Sequence, residues 1–255
     1  MKEMREKIAW LFDNLGFAFA PIGIMLADKI PEDALYFKRK GNGCIASLIF
    51  LASKGKTIAI NKDSTGYPCS AFYLGYTDWI FDGVEYFLSH SSIPFGRECE
   101  RFIKNPELAK EFVQSYVPYE FTDKTYVFKP IVAFADDEKP EAVIFFANPD
   151  QLSALVFLIH YSQPLNYNKV ITGFASACMA MATIPLQYAR KNENKAFWGL
   201  HDIAVRSSIP EDLMTLSMPF PMFKELCNSA PESFLGTANW QKLLARIKDS
   251  PPSKG

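Results

Sequence analysis

Apolar residues recur at Met4, Ile8, Leu11 and Leu15, the spacing of one helical face, and they predict an amphipathic helix at the start of the chain. Gly16 breaks that pattern. The apolar run FAFAPIGIMLAD then predicts a buried strand centred on Ile22–Leu26, with Pro21 at its entry. A turn at Lys29–Asp33, a short strand at Leu35–Phe37 and a solvated basic run, KRK, lead to Gly41. Cys44 opens a helix through Ala52 whose residues are nearly all apolar or small, so it is expected to be buried on most sides. Gly55 falls just past its end, where a residue often takes positive φ. A strand at Thr57–Asn61 and a loop at Lys62–Tyr67 follow, and Pro68 presents Cys69 before an element at Ser70–Tyr76.

The pattern is weakly helical over Trp79–Ser89 and reads as loop over Ser91–Gly96. ECERFIKNPELAKEFVQS predicts two short polar helices broken near Asn105–Pro106, because proline restricts the residue before it. Strands are expected at Tyr126–Ala135 and Ala142–Phe146, separated by the acidic turn DDEKPE, then a helix at Pro149–Tyr161 capped by Asn148. A small-residue helix, ASACMAMATIPLQYARK, carries Cys178. It precedes an aromatic strand at Ala196–Leu200, a strand at Leu213–Ser217 and a helix around Asn239–Lys248. The tail 249–255, with SPPSKG, is expected to be disordered.

These elements predict one α+β domain over 1–248, a mixed sheet with packed helices. An internal echo adds a further expectation. CIASLIFLASKGK at Cys44 and CMAMATIPLQYARK at Cys178 each begin Cys-x-Ala, continue as an apolar helix and end in a basic residue. The match needs a gap of about three residues and suggests two similar halves, 16–120 and 121–248.

Composition narrows the function classes. A chain of 255 residues can bury roughly 70 to 75% of its unfolded surface without crosslinks. The 27 Lys+Arg and 28 Asp+Glu leave a formal charge of −1 with no long single-sign run, which argues against nucleic acid and against a polybasic membrane anchor. The apolar stretches 152–161 and 173–186 are shorter than the roughly 18 residues a membrane span needs. A cytoplasmic protein with small-molecule or protein partners is expected. The five cysteines, at 44, 69, 99, 178 and 227, are then reduced, and they remain free thiols or metal ligands.

Gly41-x-Gly43-x-x-Ala46 fits a shortened dinucleotide fingerprint, with Asp63 about twenty residues on, but no alternating strand–helix series follows. Gly55-Lys56-Thr57 resembles the end of a phosphate-binding loop, yet the upstream glycine would have to be Phe50. The cysteines offer more. No C-x-x-C pair occurs, so any metal site is assembled from distant segments. Cys44 and Cys178 stand near helix starts, where the macrodipole favours thiolate, and Cys69 follows Pro68 in a loop. Each cysteine alone also fits a small buried apolar residue. Cys99, in a polar helix, and Cys227 look incidental. Among the histidines, His90, His160 and His201 share no ligand spacing; His160 reads as a satisfied core histidine. His201-Asp202 with Arg206 reads as a surface turn or an anion site.

At these residues the chain resembles the prokaryotic family called domain of unknown function 169. The resemblance runs from PIGI at Pro21–Ile24, through Cys44 with the helix end Ala52–Gly55, Cys69 with Leu74-Gly75, and ANPDQLSAL at 147–155, to Cys178 and the segment ending at Met218-Pro219. It implies a single α+β unit with an unassigned activity, and its matching cysteines are Cys44, Cys69 and Cys178. The leading expectation is that these three approach one another and bind an iron–sulfur cluster or a transition metal, with Gln151 and His201 as polar groups of the pocket. The alternatives are a metal-free domain binding a small ligand or a protein, its cysteines structural, and a thiol enzyme using one cysteine as nucleophile.

Overall fold

The computed structural model describes residues 2–38, 44–89, 98–116, 122–163 and 168–250. Gly41, Gly43 and His90, the loop expected at Ser91–Gly96 and all but the first two residues of the 249–255 tail lie outside them. The first helix, α1 (Lys2–Leu15), buries Met4, Ile8, Leu11 and Leu15 as its spacing requires. There follow β1 (Ile22–Ala27), β2 (Leu35–Tyr36), α2 (Ile45–Ser53), β3 (Ile58–Ile60), α3 (Pro68–Tyr73), α4 (Val84–Leu88), α5 (Pro106–Ser115) and β4 (Thr125–Pro130). The remainder comprises β5 (Ala142–Ala147), α6 (Pro149–Tyr161), β6 (Val170–Thr172), α7 (Ile184–Arg190), β7 (Ala196–Gly199), α8 (Ile203–Arg206), β8 (Met214–Pro219), α9 (Phe220–Ser229) and α10 (Ala238–Asp249). The fold is α+β, and no described helix is long and apolar enough to cross a membrane.

All eight strands join one mixed sheet in the order β2-β3-β4-β1-β5-β8-β7-β6. Outward from the central β1–β5 pair, the two sides have the same plan. β4 and β8 pair antiparallel with β1 and β5, β3 and β7 pair antiparallel with β4 and β8, and β2 and β6 close the edges in parallel with β3 and β7. The chain therefore traces one four-strand motif twice, with the change-over between Pro130 and Ala142. Each edge pair is parallel, so each needs a helical crossover. The first is α2; the second is the helical segment 177–190. The Cys44 and Cys178 segments open the crossovers of the first and second edge pairs.

Because β1 and β5 are antiparallel, with Ile22 opposite Ile144 and Ile24 opposite Ala142, equivalent elements of the halves are related by rotation about a line through the sheet. Such a rotation keeps each crossover helix on the same face. One core accordingly unites Ile45, Ala46 and Ile49 of α2 with Ala177, Cys178 and Met181 of the second crossover. The opposite face is covered by α1, α6, α9 and α10, burying Leu11, Leu155, Phe223 and Trp240. On β5, Ala142, Ile144 and Phe146 enter the first core and Val143, Phe145 and Ala147 the second. A sheet covered on both faces explains why AVIFFA is apolar throughout rather than alternating.

Four expectations change. Residues 98–105 are not helical, so only one of the two helices expected there forms, with the Asn105 side chain accepting from the Leu108 N–H at its start. The Tyr126–Ala135 strand ends at Pro130 and tightens into a 3₁₀ turn at Ile131–Ala133. Cys69 lies in the first turn of α3, where Pro68 occupies an initial position that needs no N–H partner, and not in a loop. The Cys178 helix widens to a π-turn at Met179–Thr183 before α7. Pro185 has no N–H for the carbonyl of Met181, which breaks the regular ladder at that turn.

Two close fits hold the layers. Gly199 of β7 lets the π-turn lie against the sheet: a Cβ there would stand 2.5 Å from the Ala180 Cβ and 3.2 Å from Thr215 Oγ1. Gln151 forms a capping box with Asn148, its Oε1 accepting from the Asn148 N–H at 3.0 Å. Its Nε2 donates to the carbonyls of Leu15 and Gly16 at 3.3 and 2.9 Å, binding the end of α1 to the start of α6. Gly199→Ala is expected to lower stability by about 1 to 3 kcal/mol through overpacking, read as a lower urea midpoint; an unchanged midpoint would show that the π-turn yields freely.

Candidate cysteine centre

Cys44, Cys69 and Cys178 converge from three elements that the doubled topology places on one face. Cys44 is the residue before α2, with extended backbone (φ −69°, ψ 140°), and its sulfur accepts from the Ala46 N–H. Cys178 precedes the π-turn and is buried. The Cys178 thiol hydrogen-bonds to Cys44, and its sulfur lies 3.9 Å from the hydroxyl of Ser70, the neighbour of Cys69. Cys69 is half-buried and interacts electrostatically with both other cysteines.

The three thiols are not equivalent. The hydrogen bond from Cys178, with a smaller contribution from the Ala46 N–H, outweighs burial and holds the Cys44 thiol below its ordinary range. Cys178 is pushed well above the ordinary range, first by keeping the proton it shares with Cys44 and then by burial. Burial, reinforced by Cys44, pushes Cys69 up to about 11. Cys44 is therefore the group poised to be a thiolate. Cys178 is its proton-bearing partner.

Asp202 completes this ring of acidic groups. It caps α8, Oδ1 accepting from the Ala204 N–H at 3.2 Å, while Oδ2 accepts from the Ala177 N–H at 3.1 Å, one residue from Cys178. Burial raises its pKa, the two N–H bonds opposing the rise. Leu200, fully buried with φ +71°, takes a left-handed conformation that a branched side chain adopts at a cost, and it turns the chain from β7 toward Asp202. Asp202 acts electrostatically on Cys44, Cys69, Tyr73 and Glu100. Among the described residues, the charged group that acts on Cys44 and Cys69 besides the thiols themselves is Asp202. Two tyrosines pack edge to face beside the thiols: Tyr116 donates to the Tyr73 carbonyl at 2.6 Å and reaches Thr183 Oγ1 at 3.2 Å, tying α3 and the π-turn to the end of α5. Burial raises both tyrosine pKa values, so both remain protonated donors.

The other candidates have partners of their own. Gln151 borders a hollow of about 470 Å³ with Phe12, Phe17 and Leu213, but its amide is committed to the bonds that join α1 to α6. His201 is exposed, its Nε2 2.9 Å from Thr172 Oγ1 and its ring 6.0 Å from that of Trp198. The neighbouring Asp202, not His201, faces the thiols. Arg206 donates to the carbonyls of Leu213 and Glu211, and so braces a turn rather than an anion. His160 bonds the Val156 carbonyl at 2.8 Å, as a satisfied histidine does. Cys99 bonds Arg101, and Cys227 is buried in the opposite core, its thiol raised to about 12 by burial. Among the described residues no three His, Cys, Asp or Glu side chains are arranged, as they stand, to hold a metal ion.

Sequence reasoning missed Asp202 as a member of the centre. The signal is positional. Asp202 follows β7 as Cys69 follows β3, each in the short helical turn after the inner strand of its half.

The family model for domain of unknown function 169, described as "Uncharacterised ArCR", matches residues 11–229. The chain belongs to this family. The match spans both halves of the DUF169 sheet and all three converging cysteines. No curated protein and no solved structure matches the chain.

Two outcomes test the assignments made here. Alkylation followed by peptide mass analysis across pH is expected to modify Cys44 at lower pH than Cys69, and Cys178→Ala is expected to raise the Cys44 midpoint by removing its donor. Equal profiles for Cys44 and Cys69 would contradict the assigned proton positions. Gln151→Ala is expected to cost about 1 to 3 kcal/mol by stranding the Leu15 and Gly16 carbonyls, seen in urea unfolding, without changing the Cys44 alkylation profile.

Proposed function

We propose that Cys44, Cys69 and Cys178 are the protein ligands of a thiophilic metal centre, an iron–sulfur cluster being the occupant that the donor set suits best. The observation that supports this reading is the convergence of three cysteines, drawn from both halves of the fold, on one core face beside the Asp202 carboxylate. Cys44 raises the pKa of both Cys69 and Cys178, and Asp202 adds to the rise at Cys69; a cation would relieve this repulsion. The donor chemistry matches soft metals, thiolate being their preferred ligand.

A mononuclear ion would need every sulfur at about 2.3 Å from one centre, a tighter set than these side chains form unliganded. A cluster spreads its cysteines over several irons, which favours it for ligands arriving from separate elements. When bound, such a cluster supplies electron transfer, at a potential set by burial and by hydrogen bonds to its sulfurs. The chain's own residues supply the rest. Asp202 holds the Ala177 N–H beside Cys178, Ser70 places its hydroxyl beside the Cys178 sulfur, and Tyr73 and Tyr116 pack together edge to face.

Anaerobic purification with iron, acid-labile sulfide and zinc analysis and a visible spectrum tests this. Iron and sulfide are expected to co-purify with the chain, to be largely lost on Cys69→Ser and to be retained on Cys99→Ser. A folded, colourless, metal-free protein would sink the proposal and leave a metal-free binding domain with structural cysteines.

A further inference from the structure

We propose that the hollow between the end of α1, the start of α6 and the end of α10 is a binding site for a free aromatic α-amino acid. It encloses about 470 Å³, within the roughly 300 to 1,000 Å³ of small-ligand sites. Phe12, Phe17, Phe19 and Phe146 line it. Phe17 and Phe146 are buried and belong to the cores on opposite faces of the sheet, so the hollow sits at the end of β5 where the two cores meet. Its walls are fixed before any ligand arrives. The Phe17 N–H donates to the Phe12 carbonyl at 3.3 Å, and the Ala20 N–H to the Ser53 carbonyl at 3.0 Å, which anchors both ends of the segment that carries Phe17 and Phe19. Gly16, at φ +65°, brings this segment against α10, where a Cβ would stand 3.0 Å from Leu244 and 3.1 Å from Ile247.

The polar groups at the hollow choose the ligand. Gln151 is committed to Leu15, Gly16 and Asn148, and so holds a wall. Asp13 and Lys248 also line the hollow, and neither side chain has a hydrogen-bond or ion-pair partner among the described residues. Asp13 stands in the last turn of α1, where the helix dipole disfavours a carboxylate, and an ammonium group beside it would relieve that repulsion. Lys248 lies in the last turn of α10 and offers a cation to a carboxylate. One acid and one base at an aromatic hollow match a zwitterion that carries a ring. The ammonium group faces Asp13, the carboxylate faces Lys248, and the ring enters among the phenylalanines, where edge and offset contacts are favourable. A hydrocarbon would leave both charges unused, and a singly charged ligand would leave one.

Isothermal titration of the full-length chain tests this at two temperatures, so that a vanishing enthalpy at one does not hide binding. L-Phenylalanine is expected to bind, and L-alanine, which has no ring, is not. Hydrocinnamate, which lacks the ammonium group, and phenethylamine, which lacks the carboxylate, are each expected to bind about fivefold more weakly than L-phenylalanine, the worth of one exposed ion pair. Asp13→Ala is expected to weaken L-phenylalanine and phenethylamine and to spare hydrocinnamate; Lys248→Ala is expected to weaken L-phenylalanine and hydrocinnamate and to spare phenethylamine. Both variants are expected to keep the urea midpoint, and a lowered midpoint in either would show that charge engaged in the fold and overturn its role here. No binding of any aromatic probe, L-alanine binding as tightly as L-phenylalanine, or L-phenylalanine binding unchanged in either variant would overturn the inference. No cysteine lines the hollow, so these results stand apart from the metal content of the same sample.

Discussion

The antiparallel pairing of Ile22–Ile24 with Ala142–Ile144 is the constraint from which the rest of the architecture follows. It joins two four-strand motifs at their first strands and relates them by a rotation through the sheet. Each motif ends in a parallel edge pair that only a crossover helix can connect. The rotation places both crossovers on one face, and their N-terminal ends carry Cys44 and Cys178. Had β1 and β5 belonged to separate sheets, the two sulfurs would have no reason to meet. Polypeptide order separates them by more than a hundred residues; sheet order does not.

Around that meeting point the fold accumulates acidic groups. Cys69 enters from the short helix after β3, and Asp202 from the equivalent turn after β7, the latter aimed by a left-handed Leu200. The bonds of Asp202 to the Ala177 and Ala204 N–H groups lower its pKa, but burial exceeds them and the net shift is upward. The thiols are in the same position, and only Cys44 gains enough from hydrogen bonding to overcome burial. A packed interior normally avoids such a collection, since every proton lost from one group raises the cost of the next. Its persistence here, beside Tyr73 and Tyr116, sets this pocket apart from the opposite core, where Cys227 is simply a buried apolar side chain.

Much of the element order was legible in the chain. The α1 face, the strand after Pro21, Gly55 with φ +91° at the end of α2 and the Asn148 cap all follow from local spacing and backbone chemistry, and all are present. What local pattern missed has identifiable causes. β6 is three residues long at a sheet edge and half exposed, so it carries almost no periodicity. The π-turn after Cys178 arises from Pro185 seven residues on, and 98–105, whose composition suits a helix, stays irregular. Gln151 was expected as a polar group of the pocket; its partners, Leu15 and Gly16, lie 136 and 135 residues away in sequence. Likewise His201 drew attention as a histidine, while the carboxylate beside it faces the thiols.

By itself the sequence determined the type and approximate place of most helices and strands, that the strand after Pro21 is buried, and that three cysteines stand at element starts. Those are matters of side-chain period, caps and breakers, which act over a few residues. Only the tertiary structure decided that Cys44, Cys69 and Cys178 share one pocket, that Asp202 joins them, and that Gln151 belongs to the joint between α1 and α6. Proximity between distant segments is set by strand order, and strand order here depends on an antiparallel pairing between β1 and β5, of which no local pattern in either segment gives notice.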